Sequence, residues 1–256
     1  GRGATLNGES RRVNMPELLA DGDWLDALAE GEDPTPRRRT EVTVERPRTI
    51  LTRNTSPDIG FSQSINAYRG CEHGCIYCFA RPNHAYHDLS PGLDFETKLF
   101  AKPDAAALLR TELAKKNYLP SPIAMGTNTD PYQPIERDWR ITRQILELLL
   151  ECRHPTFITT KSDRILRDID LLASLASDQL VSVMLSLTSL DPKVARTMEP
   201  RAPHPLRRIA AVERLAAAGI PVVVSISPVV PAITDHEIEA LVARAAQAGA
   251  REVTYI

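Results

Sequence analysis

The chain has 256 residues, 43% of them hydrophobic and 25% charged, with a formal net charge of −2. This is enough apolar residue to bury one sizeable core, and the charge balance is too even to draw the whole surface to nucleic acid or to an anionic membrane, although a local basic groove stays open. No apolar run approaches the roughly 20 residues of a transmembrane helix and no signal-peptide core is present, so no membrane partner is expected and the expected compartment is cytoplasmic, where thiols stay reduced.

Residues 1–62 read as an N-terminal extension, partly disordered or wrapped on the core. They are rich in Gly, Arg, Asp, Glu and Pro, with one short amphipathic stretch from Met15 to Leu28 and a basic run, Arg37-Arg38-Arg39. Glu41 to Thr52 alternates polar and β-branched residues and predicts an extended segment or edge strand. The domain proper, 63–256, then alternates strand and helix. Strands are predicted over Ser64–Arg69, Ile123–Gly126, Thr156–Thr160, Val181–Leu187, Pro221–Ser227 and Glu252–Ile256. Helices are predicted over Pro103–Lys116, Arg140–Cys152, Arg164–Ala176, Leu206–Ala218 and Asp235–Ala248, and Leu93–Ala101 reads as a further strand or hairpin arm. Such alternation argues for an α/β fold with a parallel sheet. Gly219 and Gly249 sit where a left-handed residue ends a helix, and Thr234 or Asp235 is an expected N-cap.

The chemistry is concentrated in Cys71-Glu72-His73-Gly74-Cys75-Ile76-Tyr77-Cys78, which holds three of the four cysteines. Three thiolates on a short turning backbone suit three irons of a [4Fe–4S] cubane and leave the fourth iron open. A structural zinc would need a fourth donor, which only His73 inside the loop offers. Disulfides would leave one of the three unpaired. Cys152 ends an amphipathic helix beside Leu148 and Leu149 and reads as a small buried hydrophobe, while His84 and His87 read as polar loop residues.

The spacing C-x3-C-x2-C with an aromatic, Tyr77, before the third cysteine resembles the radical S-adenosylmethionine (radical SAM) superfamily. The longer run from Ile65 to Arg81, with Thr129-Asp130-Pro131-Tyr132-Gln133-Pro134-Ile135-Glu136, resembles its bacterial spore photoproduct lyase-like branch. The resemblance implies a partial (β/α)6 TIM-like barrel and two cofactors, a [4Fe–4S] cluster on Cys71, Cys75 and Cys78 and S-adenosylmethionine. It implies an electron donor such as flavodoxin or ferredoxin, and a 5′-deoxyadenosyl radical that acts on an unidentified substrate. In such barrels the chemistry lies after the C-terminal strand ends. Tyr77 is then expected near the adenine, and Gly126, Thr127, Asn128 and Asp130 at the amino end of the methionine moiety. Lys161 is expected at its carboxylate, unless it is a surface lysine before a helix cap. Ser186, ahead of Thr188, is expected at the ribose or carboxylate. The loop Met198–His204 is a candidate substrate loop, and Ser225–Pro231 a candidate adenine wall. The related lyases carry a hydrogen-donating cysteine where this chain has Asn128, which argues against thymine-lesion repair. Two rival readings stay open: a nucleic-acid base repair lyase, and a non-catalytic iron–sulfur or zinc protein.

Overall fold

In the computed structural model, which describes residues 2–4, 6–7 and 39–256, two sheets share the strands. The helix expected over Met15–Leu28 and the basic run's first two arginines lie outside the described residues. The first half of the chain runs β1 (Glu41–Val44), β2 (Leu51–Arg53), β3 (Gln63–Ile65), β4 (Tyr68–Arg69), α1 (Leu93–Thr97), β5 (Lys98–Ala101), α2 (Ala105–Leu113) and β6 (Ile123–Met125). It continues through α3 (Glu136–Trp139), α4 (Ile141–Glu151), β7 (Thr156–Thr160), α5 (Ile169–Ser177) and β8 (Val181–Ser186). It closes with α6 (Pro192–Met198), α7 (Pro205–Ala217), β9 (Val222–Ile226), α8 (Ile238–Gln247) and β10 (Glu252–Tyr255).

The larger sheet has the order β10-β9-β8-β7-β6-β3-β2, parallel throughout except for the antiparallel β2–β3 pair at one edge. Its parallel strands follow one another in sequence, as successive β/α units require, and make a partial (β/α)6 barrel. The inner strands read as apolar runs because both faces are covered: Ile123, Met125, Ile158, Val183, Leu185, Val222 and Val224 are all buried. The covering helices match in period. On α4 the buried positions Ile141, Ile145, Leu148 and Leu149 recur at helical spacing, each such side chain contributing about 1.5–3 kcal/mol on burial.

Several expectations shift for local reasons. The strand predicted over Ser64–Arg69 breaks at Asn66, whose side chain turns to accept from the Asn128 N–H at 2.9 Å and to bond Thr127, so the chain leaves the large sheet and re-enters a small one as β4. That small sheet, β1-β5-β4, also takes up the Leu93–Ala101 stretch, which is a helical turn followed by a strand rather than one arm. The extended segment at Glu41–Thr52 is two strands, one in each sheet. Two of the predicted helices begin late, after the 3-10 segments Asp163–Asp168 and Asp235–Glu237. The hydroxyl of Thr234 accepts from the Val230 N–H at 2.8 Å instead of capping a helix. Gly219 and Gly249 are left-handed at helix ends, at φ +77° and +88°. Cys152, expected buried, is exposed: it is the C-cap of α4, one residue past the turn whose apolar face the core covers. Among the described residues no helix is long and apolar enough to cross a membrane.

Candidate functional site

The cysteine loop hangs between three anchors. Its first residue joins the small sheet's side, where the Cys71 N–H donates to the Phe95 carbonyl at 2.9 Å. Its middle is held by Arg81, whose guanidinium donates twice to the Cys75 carbonyl (3.1 and 2.9 Å) and, at 2.6 Å, to the fully buried carboxylate of Glu96. The third anchor is Gln133, also fully buried, which accepts from the Glu72 N–H at 3.0 Å and donates to the Gly70 carbonyl at 3.1 Å. Gly70 needs its left-handed φ of +71°, since a Cβ there would meet the Phe95 carbonyl oxygen at 2.7 Å. Cys71 and Cys75 are buried and Cys78 is half-buried. Burial pushes the Cys71 thiol well up, helped by the charge of Asp130, and pushes Cys75 up to about 12, with Lys161 pulling the other way.

The turn after β6 wraps a single carboxylate. Asp130 accepts from the Thr160 hydroxyl at 2.6 Å, the Lys161 N–H at 2.8 Å and the Tyr132 N–H at 2.8 Å, and the Nδ1 of His73 lies 3.4 Å away. Burial works to raise this acid, yet His73 and the donors outweigh it and hold Asp130 at about 2. One carboxylate therefore ties the ends of β6 and β7 to the cysteine loop, and the bond to Tyr132 two residues on is an Asx turn. Gly126, at φ +93°, is required by the fold as well: a Cβ would come within 2.1 Å of the Thr159 carbonyl oxygen on the neighbouring strand.

Opposite stands a second buried carboxylate, Glu199, at the end of α6. It accepts from the Tyr77 hydroxyl in a short hydrogen bond and from Thr188 at 2.8 Å, pairs with the buried Arg208 of α7, and has the Lys161 Nζ at 3.8 Å. Burial opposes ionisation here too, but Arg208, Lys161 and the Tyr77 hydroxyl hold Glu199 at about 2. The Lys161 ammonium lies 5.6 Å from the centre of the Tyr77 ring and raises no hydrogen bond of its own among the described residues. It is not a surface lysine, since its side chain is only 19% exposed.

Several of these groups line a cavity, open to solvent, with about 580 Å³ of empty volume. Cys71, Cys75 and Cys78 line it, as do Tyr77, Gly126, Thr127, Asn128, Asp130, Lys161 and Ser186, whereas the candidate substrate loop Met198–His204 does not. Thr188 is drawn away to Glu199 and the Ser227 carbonyl, and Ser225–Pro231 does not reach the lining. His84 is buried and bonded to the Lys98 carbonyl at 2.8 Å. The anchors Arg81, Glu96, Gln133 and Arg208 were not anticipated. For Arg208 a signal exists: it falls in register with Ile209, Val212 and Leu215, a charge on the apolar stripe of α7, which implies a buried partner.

The family model for the radical SAM superfamily matches residues 65–245. Uncharacterized protein Rv2578c of Mycobacterium tuberculosis is 40% identical over 196 residues, covering 76% of this chain and 58% of its own. Uncharacterized protein MJ0683 of Methanocaldococcus jannaschii is 32% identical over 178 residues, covering 70% and 64%. The chain thus spans less than two thirds of the length of these relatives. Among solved structures, spore photoproduct lyase complexed with dinucleoside spore photoproduct superposes with a TM-score of 0.62 at 16% identity, over 84% of this chain and 60% of that one, a likeness of fold. With the three-cysteine loop at the mouth of a partial barrel and the family match over most of its length, the chain belongs to the radical SAM superfamily.

Proposed function

We propose that the cavity holds a [4Fe–4S] cluster on Cys71, Cys75 and Cys78 and S-adenosylmethionine against Tyr77, Gly126, Thr127, Asn128, Asp130, Lys161 and Ser186, in an enzyme that cleaves S-adenosylmethionine reductively to act on a substrate still to be identified. The observation that carries this is the convergence on one cavity of the cysteine loop and the ends of β6, β7 and β8. The donor set fits the cluster. Three thiols face one cavity, one for each of three irons, while His73, the fourth donor a tetrahedral zinc would take from the loop, faces Asp130.

When bound, the cluster supplies an electron, taken from a donor such as flavodoxin or ferredoxin, and S-adenosylmethionine the 5′-deoxyadenosyl radical that removes a hydrogen atom from the substrate. The chain's own part is placement. Burial works against the Lys161 charge, but Cys75 and Glu199 outweigh it and raise its pKa, so a cation stays in the cavity to meet a carboxylate. Asp130 has its oxygens engaged by the protein and shapes the wall. Anaerobic reconstitution with iron and sulfide, followed by assay for 5′-deoxyadenosine with S-adenosylmethionine and dithionite, tests the reading; absence of that product in cluster-loaded protein sinks it.

Lys161→Ala protein is expected to bind S-adenosylmethionine about tenfold to a hundredfold more weakly by calorimetry, the loss of one charge-assisted hydrogen bond of roughly 1.5–3 kcal/mol. Its cluster absorption should persist. Unchanged affinity would leave the lysine with Glu199 alone.

The fold likeness to spore photoproduct lyase raises nucleic-acid repair as a second reading, and the residues speak against that lesion. Asn128 offers only a strong amide N–H as hydrogen source. Cys152 is exposed at the end of α4 and outside the cavity, and Tyr132 is fully buried outside it. Reconstituted protein incubated with a spore-photoproduct oligonucleotide is expected to restore no thymine by mass spectrometry; multiple-turnover repair would overturn this.

A further inference from the structure

A second cavity, of about 850 Å³ of empty volume, adjoins the first, and Ala80 and Asn128 line both. It opens between β2, β4 and the 3-10 turn Arg81–His87, and its lining carries Arg69, Lys102 and His84 but no Asp or Glu. Arg69 is answered from outside the lining by a two-pronged pair with Glu45, at 2.7 and 2.9 Å. His84 is spoken for by the Lys98 carbonyl, and burial lowers its pKa, so it adds no charge.

Lys102 is different. The residue is 7% exposed, its Nζ donates to the Asn66 carbonyl at 2.9 Å, and it has no ion-pair partner among the described residues. An ammonium carries three donors, and a buried one facing a single neutral acceptor is costly unless an anion completes it. The strain shows in its acidity: burial, then the charge of Arg69, brings Lys102 down to about 8 against the help of Glu45. At the rim shared with the first cavity the Asn83 amide donates to the Asn128 side-chain oxygen at 3.2 Å.

We infer that this second cavity is the substrate's chamber and that it takes an oxyanion, a phosphate or carboxylate of the substrate, on Lys102. The inference rests on the reading of the first cavity as the radical site, because the shared rim at Ala80 and Asn128 is what makes an occupant of the second a neighbour of the reacting atom. A substrate anchored at Lys102 runs toward Asn128 and presents its C–H there.

The test is equilibrium dialysis of the reconstituted protein against radiolabelled sulfate, which stands for a phosphate ester, and acetate, which stands for a carboxylate, at pH 7 and pH 9.5. Both probes keep their charge over that range. Of the groups facing Lys102, Glu45 stays below the usual carboxylate range because Arg69 outweighs its burial, burial keeps His87 below the usual histidine range, and arginine stays charged. One-to-one binding at pH 7 is expected, weakened at least about tenfold at pH 9.5 and in Lys102→Met, and kept in Lys102→Arg; the tighter probe identifies the group. Binding of neither probe, or binding indifferent to pH and to Lys102→Met, overturns the inference, and the pH arm on wild-type protein decides even where the variant fails to fold. The same wild-type sample is assayed for 5′-deoxyadenosine. Product without Lys102-dependent anion binding sinks the chamber alone, whereas anion binding without product sinks both the radical site and the substrate role.

Discussion

Cys75→Ala protein, reconstituted anaerobically with iron and sulfide, is expected to lose the broad visible absorption of a [4Fe–4S] cluster, and Cys71→Ala and Cys78→Ala to do the same. Each thiolate removed leaves one iron without its protein ligand, and no neighbouring donor can step in. His73 is held against Asp130, Glu199 is taken up by Tyr77, Thr188 and Arg208, and Cys152 lies exposed at the C-terminal end of α4, outside the cavity. Cys152→Ala is therefore the control and should reconstitute as wild type does. Iron content per chain and the visible spectrum give the result; a full cluster in Cys75→Ala would remove the ligand assignment. Since Cys71 and Cys75 are thiols pushed up by burial, cluster loading should also release protons, which a weakly buffered reconstitution can detect.

Glu199→Ala is expected to be the most destabilising single change in the site. Among the described residues it strips the one carboxylate that pairs with Arg208 and the one that pairs with Lys161, and it leaves the Tyr77 hydroxyl to Thr188 alone, in a region where Glu199 is only 1% exposed. Breaking a buried pair from one side costs about 3–5 kcal/mol, equivalent to a Tm lower by roughly 10 °C in a domain of this size. A Tm within 2 °C of wild type by calorimetry, about the shift of a surface change, would show that water enters and solvates the cations. The acid limb gives an independent readout. The carboxyl of Glu199 is at about 2 in the folded chain and nearer the usual carboxylate value when unfolded. The stability it contributes is thus fully present above about pH 4.5 and is lost as pH falls toward 2. Asp130, also at about 2, adds to the same window. Wild-type protein should lose stability steeply between those pH values, and Glu199→Ala less steeply, because one of the two buried acids held at about 2 is gone.

The local patterns of the chain determined a good deal by themselves. Apolar strands alternating with helices of 3.6-residue period led to the parallel sheet, because a strand covered on both faces must read as a continuous apolar run and a covering helix must carry one apolar stripe. The cysteine spacing singled out the loop of chemistry, since that constraint is local: three thiols must lie on one short turn. Loops after successive strands were legible as wall residues, because parallel strands put all their C-terminal ends at one mouth. What only the tertiary structure decided are the long-range partners. Nothing near Glu199 in sequence says that it meets Tyr77, 122 residues away, or that Gln133 holds the Gly70 carbonyl 63 residues back. That a Cβ at Gly126 would meet the Thr159 carbonyl could not be read from the sequence, and Cys152 looked buried until the last turn of α4 ran past the core. The break at Asn66, which sends the chain from one sheet to the other beside the cavity lined by Lys102, depends on an amide finding Thr127 and Asn128 across two strands. Burial and pairing are properties of the packed whole, so a charged residue's partner, and with it the residue's role, is settled only when the elements close on one another.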